Sequence, residues 1–167
     1  VGYEKLFNPA LQFDDEQEFV DYILSEQPEA PKYFALMKRV NKEGPAILGE
    51  PKLPSKLTTD VLRETVANEM VVDTAVSKKF AASHVKGTIN LQPKYVAMWG
   101  GSLLDYEKPV YLISSSHDLP EVVRILHKVG MDNIGGYFGA DEVADGGFNT
   151  ETIRQETPKQ LVERIRS

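Results

Sequence analysis

Residues Ser114-Ser115-Ser116-His117-Asp118 bring the three residue types of a nucleophilic triad into five consecutive positions. A serine nucleophile needs a histidine to take its proton and a carboxylate to orient that histidine. Neighbours in sequence rarely face one another in that way, and no Gly-x-Ser-x-Gly elbow accompanies the run. A second chemistry is anion binding, because the run opens onto a helical pattern whose first N–H groups attract negative charge. No arginine reinforces it, and Asp118 repels an anion. The third reading is a serine-rich helix cap. The chain has no cysteine. That excludes disulfides, thiolate metal sites and any group transfer through a polarisable thiolate.

The other polar candidates are sparse. His84, His117 and His127 are far apart in sequence, and His127 beside Lys128 reads as a solvated helix residue. Asp141, Glu142 and Asp145 lack the alternating acidic loop with a distal glutamate that calcium requires. Gly100-Gly101 is followed by no lysine-serine/threonine pair, so it is no phosphate loop. Trp99 with Met98 reads as a core or domain-interface anchor.

These residues must be positioned by a chain of 167 residues, 41% hydrophobic and 26% charged. That size suits one compact domain of roughly 100–150 residues with appendages. The net charge of −6 is dispersed, without a basic cluster, which argues against nucleic acid and anionic membranes as partners. No apolar run approaches the roughly 20 residues of a membrane span. The chain begins at Val1 and stops at Ser167 inside a helical pattern, so both ends are expected to be cuts in a longer polypeptide.

Residues 1–45 read as one helical unit. Asp14 with Gln17 forms a capping-box signal before Phe19, Val20, Ile23 and Leu24. Pro28 is expected to end that helix and Pro31 to open the next, with Phe34, Met37 and Val40 on one face and Gly44 as its stop. Residues 46–57 are a stiff, proline-containing linker. Residues 58–140 alternate helix and strand, with strands at 70–73, 88–90, 110–113 and 133–137. Such alternation implies a mainly parallel sheet flanked by helices. A helix over 95–104 is expected to be loosened by its two glycines. Asp118 with Glu121 is expected to cap a helix whose inner face is Val122, Val123, Leu126 and Val129. Residues 141–156 read as an acidic linker. Thr157-Pro158-Lys159-Gln160 then opens a last helix, and Thr157, Leu161 and Ile165 repeat the spacing of Thr58, Leu62 and Val66.

Val71-Val72-Asp73-Thr74-Ala75, followed by Ser83-His84-Val85-Lys86-Gly87-Thr88-Ile89-Asn90, resembles the opening of a rhodanese sulfurtransferase domain. Active members carry Asp-x-Arg and then Gly-His-Ile-x-Gly-Ala-x-Asn. Asp73, His84, Gly87 and Asn90 match this pattern, and Ala75 replaces the arginine. Val129-Gly130-Met131-Asp132-Asn133-Ile134 resembles the stretch before the last strand of the family. The resemblance covers about residues 57–140. It implies an α/β rhodanese-like domain with an N-terminal helical extension. It also places the family's catalytic cysteine near Ile113 to Ser115, so that Ser114, Ser115, Ser116, His117 and Asp118 form a degenerate active-site loop. The implied roles of His84 and Asp73 are structural, fixing a turn and capping one.

Residues 2–12 and 31–45 resemble the C-terminal end of a metallo-β-lactamase-fold domain of the kind fused to rhodanese domains. Members of that fusion family are persulfide dioxygenases and sulfurtransferases of sulfide detoxification, and some hold an inactive rhodanese-like domain before a cysteine-bearing one. The resemblance implies a layout of metallo-β-lactamase tail (1–45), linker (46–57), cysteine-less rhodanese-like domain (58–140), linker (141–156) and the start of a second rhodanese domain (157–167). It implies a non-catalytic interface segment within an enzyme, with an upstream metallo-β-lactamase-fold domain and a downstream rhodanese domain as partners. It implies no cofactor in this segment, with non-haem iron or zinc upstream of Val1. It further implies a cytoplasmic homo-oligomer. The alternatives are a stand-alone sensor of a sulfur anion or protein partner, and a weak serine hydrolase.

Overall fold

In the computed structural model residues 2–25, 27, 30, 33–47, 49 and 52–166 are described. Val1, Pro28, Pro31 and Ser167, which carried the expected ends and helix boundaries, lie outside them. The chain divides into two compact units, Val1–Pro31 and Lys32–Ser167.

The first unit holds α1 (Gly2–Phe7), a single 3-10 turn at Pro9–Leu11 and α2 (Glu16–Ser25). Asn8 caps the turn by accepting the Ala10 N–H at 3.0 Å. The cap of α2 is Asp15, whose carboxylate accepts the Glu18 N–H at 3.0 Å. The expected Asp14–Gln17 box is thus displaced by one residue, and the Gln17 amide turns instead to Asp21.

The second unit opens with α3 (Tyr33–Glu43), ended by Gly44. Its inner residues are Tyr33, Leu36 and Val40, while Phe34 and Met37 face solvent. Of the expected stripe Val40 turns inward, while Tyr33 and Leu36 take the places of Phe34 and Met37, because side chains at i, i+3 and i+7 share a face. This helix, which the sequence grouped with residues 1–45, seats Tyr33 against Gly101 and Leu36 against Gly130.

The central sheet has strand order β3-β1-β4-β5 and is parallel throughout. Its strands are β1 (Met70–Asp73), β3 (Ile89–Asn90), β4 (Val110–Ser114) and β5 (Ile134–Gly139). Alternation of side chains across the sheet yields two cores. Val72, Val110 and Leu112 meet Val122, Val123 and Leu126 of α8 (Leu119–Lys128) on one face. Val71, Ile113 and Phe138 meet Leu62 of α4 (Leu62–Asn68) on the other. Asp73 follows Val71 by two residues, so it points to this second face at the C-terminal end of β1.

The helix expected over 95–104 is α6 (Pro93–Tyr95), a π-helical turn at Val96–Gly100 and α7 (Gly101–Leu103). The outer edge of β5 is not bare. The Leu57 N–H donates to Tyr137 O at 2.8 Å and the Tyr137 N–H to Ser55 O at 3.0 Å. This close approach requires Gly136, because a Cβ there would stand 2.7 Å from Leu57.

The region read as a linker after residue 140 is structured. It forms α9 (Ala140–Asp145) and β6 (Thr150–Glu151), which pairs antiparallel with β2 (His84–Val85). Local composition misled here, because α9 is anchored in the core by Val143, with Ala140 packed beside it, while Asp141, Glu142 and Asp145 are solvated. Acidic residues in a first turn also favour the helix. Tertiary bonds hold the rest: Lys86 N–H to Asn149 O at 3.1 Å, Ile153 N–H to Ala81 O at 2.8 Å, and the Lys86–Glu151 ion pair at 2.7 Å. Beyond it, Thr157 and Gln160 form a reciprocal capping box that opens α10 (Pro158–Arg166). Among the described residues no helix is long and apolar enough to cross a membrane.

Candidate functional site

The run 114–118 lies at the junction of β4 and α8. Ser114 ends the strand and is buried, its hydroxyl on Ser115 O at 3.2 Å. Ser115 closes the loop. Its Oγ accepts the Asp118 N–H at 3.0 Å and donates to Asp118 Oδ2 at 2.8 Å. The expected Asp118–Glu121 box does not form, because Glu121 turns to Arg124 and the Asp118 N–H is already taken by Ser115. Asp118 takes up helical backbone angles at the N-cap position, its carbonyl accepts the Val122 N–H at 3.0 Å, and its side chain caps no amide of α8. Ser116 and His117 are exposed. The serine bonded to the acid is not bonded to the histidine, so no triad is assembled.

Across the sheet end, Asp73 accepts the Ala75 N–H at 2.8 Å. Asn90 ties the same turn from outside, donating to Asp73 O at 3.0 Å and to Ala75 O at 2.7 Å. Burial pushes the Asp73 carboxyl above its ordinary value, opposed first by the Ala75 N–H and then by the charge of Lys79. The imidazole of His84 is buried, stacked on Phe80 with ring centroids 3.8 Å apart, and bonded through Nδ1 to Phe80 O at 2.9 Å. A carbonyl only accepts, so Nδ1 carries the proton. Gly87 turns the chain with φ +89°, where a Cβ would lie 2.9 Å from Val66. Of the four positions matched to the resemblance, Asp73 and Asn90 thus share the 73–75 turn, His84 lies on β2, and Gly87 turns the chain between β2 and β3.

Two cavities meet at this end of the sheet. One of about 530 Å³ is bounded by Asp73, Lys79, Lys94, Ser115 and Asp118. A second, of about 510 Å³, lies between α5 (Ser77–Ala82), α9 and the β2–β6 pair, and shares Asp73 and Lys79 with the first. The sequence reading passed over Lys79 and Lys94. Lys79 stands on α5, six residues after Asp73, and that short spacing was the available signal. Among the described residues no three histidine, aspartate or glutamate side chains could hold a metal ion.

The raised Asp73 carboxyl has a direct consequence. A buried acid with a raised value binds its proton more tightly folded than unfolded, so stability falls as pH climbs past the ordinary 3.8 through the folded value. Asp73→Asn, whose amide oxygen still accepts the Ala75 N–H, is expected to be more stable than the parent at pH 7. The gap should close as pH falls below 3.8. Urea melts across that range check it, and a gap independent of pH would refute it.

Neither a scan of protein-family models nor a search of curated proteins finds a match. Solved structures do match. A metallo-β-lactamase from Staphylococcus aureus subsp. aureus COL aligns over 82% of this chain with 28% identity and a TM-score of 0.62. This chain spans 39% of that protein's length. The rhodanese-like domain of the Alr3790 protein of Anabaena sp. aligns over 65% of this chain and 86% of its own, with 16% identity and a TM-score of 0.50. EanB, solved with a cysteine persulfide and ergothioneine, aligns over 67% of this chain and 32% of its own, with 16% identity and a TM-score of 0.50. The alignment to the staphylococcal protein runs beyond the stretch 57–140. The fold of this chain is α/β and rhodanese-like.

Proposed function

We propose that this chain is a non-catalytic rhodanese-like segment of a persulfide dioxygenase–sulfurtransferase acting in sulfide or persulfide detoxification. The observation that carries the proposal is the β4–α8 loop, where a sulfurtransferase would hold its thiolate. Here Ser115 offers a hydroxyl, and that hydroxyl is spent on Asp118. A hydroxyl is too weakly nucleophilic and too little polarisable to carry a persulfide. The segment then serves by position. It holds an upstream metallo-β-lactamase-fold domain, with its iron or zinc, near a downstream cysteine-bearing rhodanese domain, and so raises the effective concentration of one site at the other. The 28% identity to a staphylococcal metallo-β-lactamase, over most of this chain, supports such a setting. The proposal includes a cytoplasmic homo-oligomer.

The purified chain, assayed for thiosulfate:cyanide sulfurtransfer, is expected to form no thiocyanate above the protein-free blank. Measurable turnover would overturn the non-catalytic reading. The second reading, a sensor of a sulfur anion, has Lys79 and Lys94 beside the loop in its favour and Asp73 and Asp118 against it. Calorimetry with millimolar thiosulfate decides it, and absence of heat leaves the scaffolding reading alone.

A further inference from the structure

The cavity between α5, α9 and the β2–β6 pair is built differently from the loop beside it. Its polar groups are few and of opposite kinds. Asp73 contributes a carboxylate whose bond to the Ala75 N–H leaves the other oxygen free to accept. His84 has an Nδ1 proton committed to Phe80 O, so the nitrogen left for a ligand is Nε2, which accepts in the neutral ring. Lys79 contributes an ammonium. Ile113, Val143 and Phe148 supply an apolar wall. A volume of about 510 Å³ falls in the range of small-molecule pockets, which are mostly apolar with a few convergent polar groups.

We propose that this cavity binds a free α-amino acid with an apolar side chain. The ligand's ammonium lies on Asp73 and His84 Nε2, its carboxylate on Lys79, and its side chain against Ile113, Val143 and Phe148. A simple anion would meet one cation and one carboxylate, and a simple amine would leave Lys79 facing a positive charge. A zwitterion satisfies both, and its apolar body removes the wall from water. The burial cost carried by Asp73 falls when a cation is brought beside it, because an opposite charge favours the ionised carboxylate. This site owes nothing to the sulfur chemistry of the β4–α8 loop, and it stands if that reading fails.

The test is an NMR titration of the ¹⁵N-labelled chain with L-phenylalanine and L-leucine at pH 7. Saturable millimolar shifts are expected at the amides of His84, Val143 and Phe148. Phenethylamine and 3-phenylpropionate, each lacking one charge, should bind at least about tenfold more weakly, a loss of about 1.4 kcal/mol. Lys79→Met and Asp73→Asn should each weaken L-phenylalanine by about the same factor. Lys94→Met, which alters only the neighbouring cavity, should leave binding unchanged and guards against a general effect of charge. Absence of saturable shifts in the folded parent chain overturns the proposal. So does equal binding of phenethylamine, which would make this a plain cation site, or of 3-phenylpropionate. Indifference to Lys79→Met overturns it too.

Discussion

Phe138→Ala is expected to destabilise the second unit by about 3–5 kcal/mol, the range for removing a fully buried aromatic side chain. Phe138 is completely buried and lies with Val71, Ile113, Leu62 and Val143 on one face of the sheet. The loss comes from transferred apolar surface and from the void left behind, since β4 and β5 are held by their backbone ladder and cannot collapse into it. Domains of this size are stable by about 5–15 kcal/mol, so the variant should melt well below the parent in urea. A change within about 1 kcal/mol would mean that this face is loosely packed, contrary to its burial.

The second large effect is chemical. Ser115→Cys introduces the only thiol of the chain, so its alkylation can be read without background. Asp118 Oδ2 accepts from the present hydroxyl at 2.8 Å, and the same carboxylate would oppose ionisation of a thiol. The double variant Ser115→Cys/Asp118→Ala removes that charge and keeps the Asp118-position N–H that the loop aims at the side chain. Iodoacetamide at neutral pH should therefore label the double variant at least about tenfold faster than the single one, the equivalent of one pKa unit. Equal rates would show that the carboxylate does not govern this loop. Neither variant is expected to regain efficient thiosulfate:cyanide transfer, because Ala75 and the loop supply no arginine to bind the donor anion.

The four strands of the central sheet were readable because their cues are local, whereas β2 and β6 were not expected. Met70 to Val72 and Val110 to Ile113 are short apolar runs, and parallel strands buried on both faces have that composition. The capping box at Thr157 and Gln160 was readable for the same reason, since both its arms lie within four residues. The face of α3 was misassigned at Phe34 and Met37, though not at Val40. Phe34 and Met37 are as apolar as Leu36, and only the neighbours Gly101 and Gly130 decide which of them turns inward. Residues 140–151 were invisible as structure because their order rests on Val143, Asn149 and Glu151 meeting partners more than fifty residues away or across the sheet. Of the positions that the resemblance to a rhodanese singled out, Asp73 and Asn90 meet at one turn, while His84 bonds Phe80 O and Gly87 lies against Val66.

By itself the amino-acid sequence determined that no thiolate chemistry can occur here, since residue types are fixed by the chain whatever its shape. It also determined an alternating α/β order, because strand and helix periodicities are carried by near neighbours. Only the tertiary structure decided that Ser115 closes on Asp118 and that Lys79, Asp73 and His84 face one cavity. Those are contacts of direction and distance, set by the twist of the sheet and the seating of helices on it, and no linear spacing encodes them.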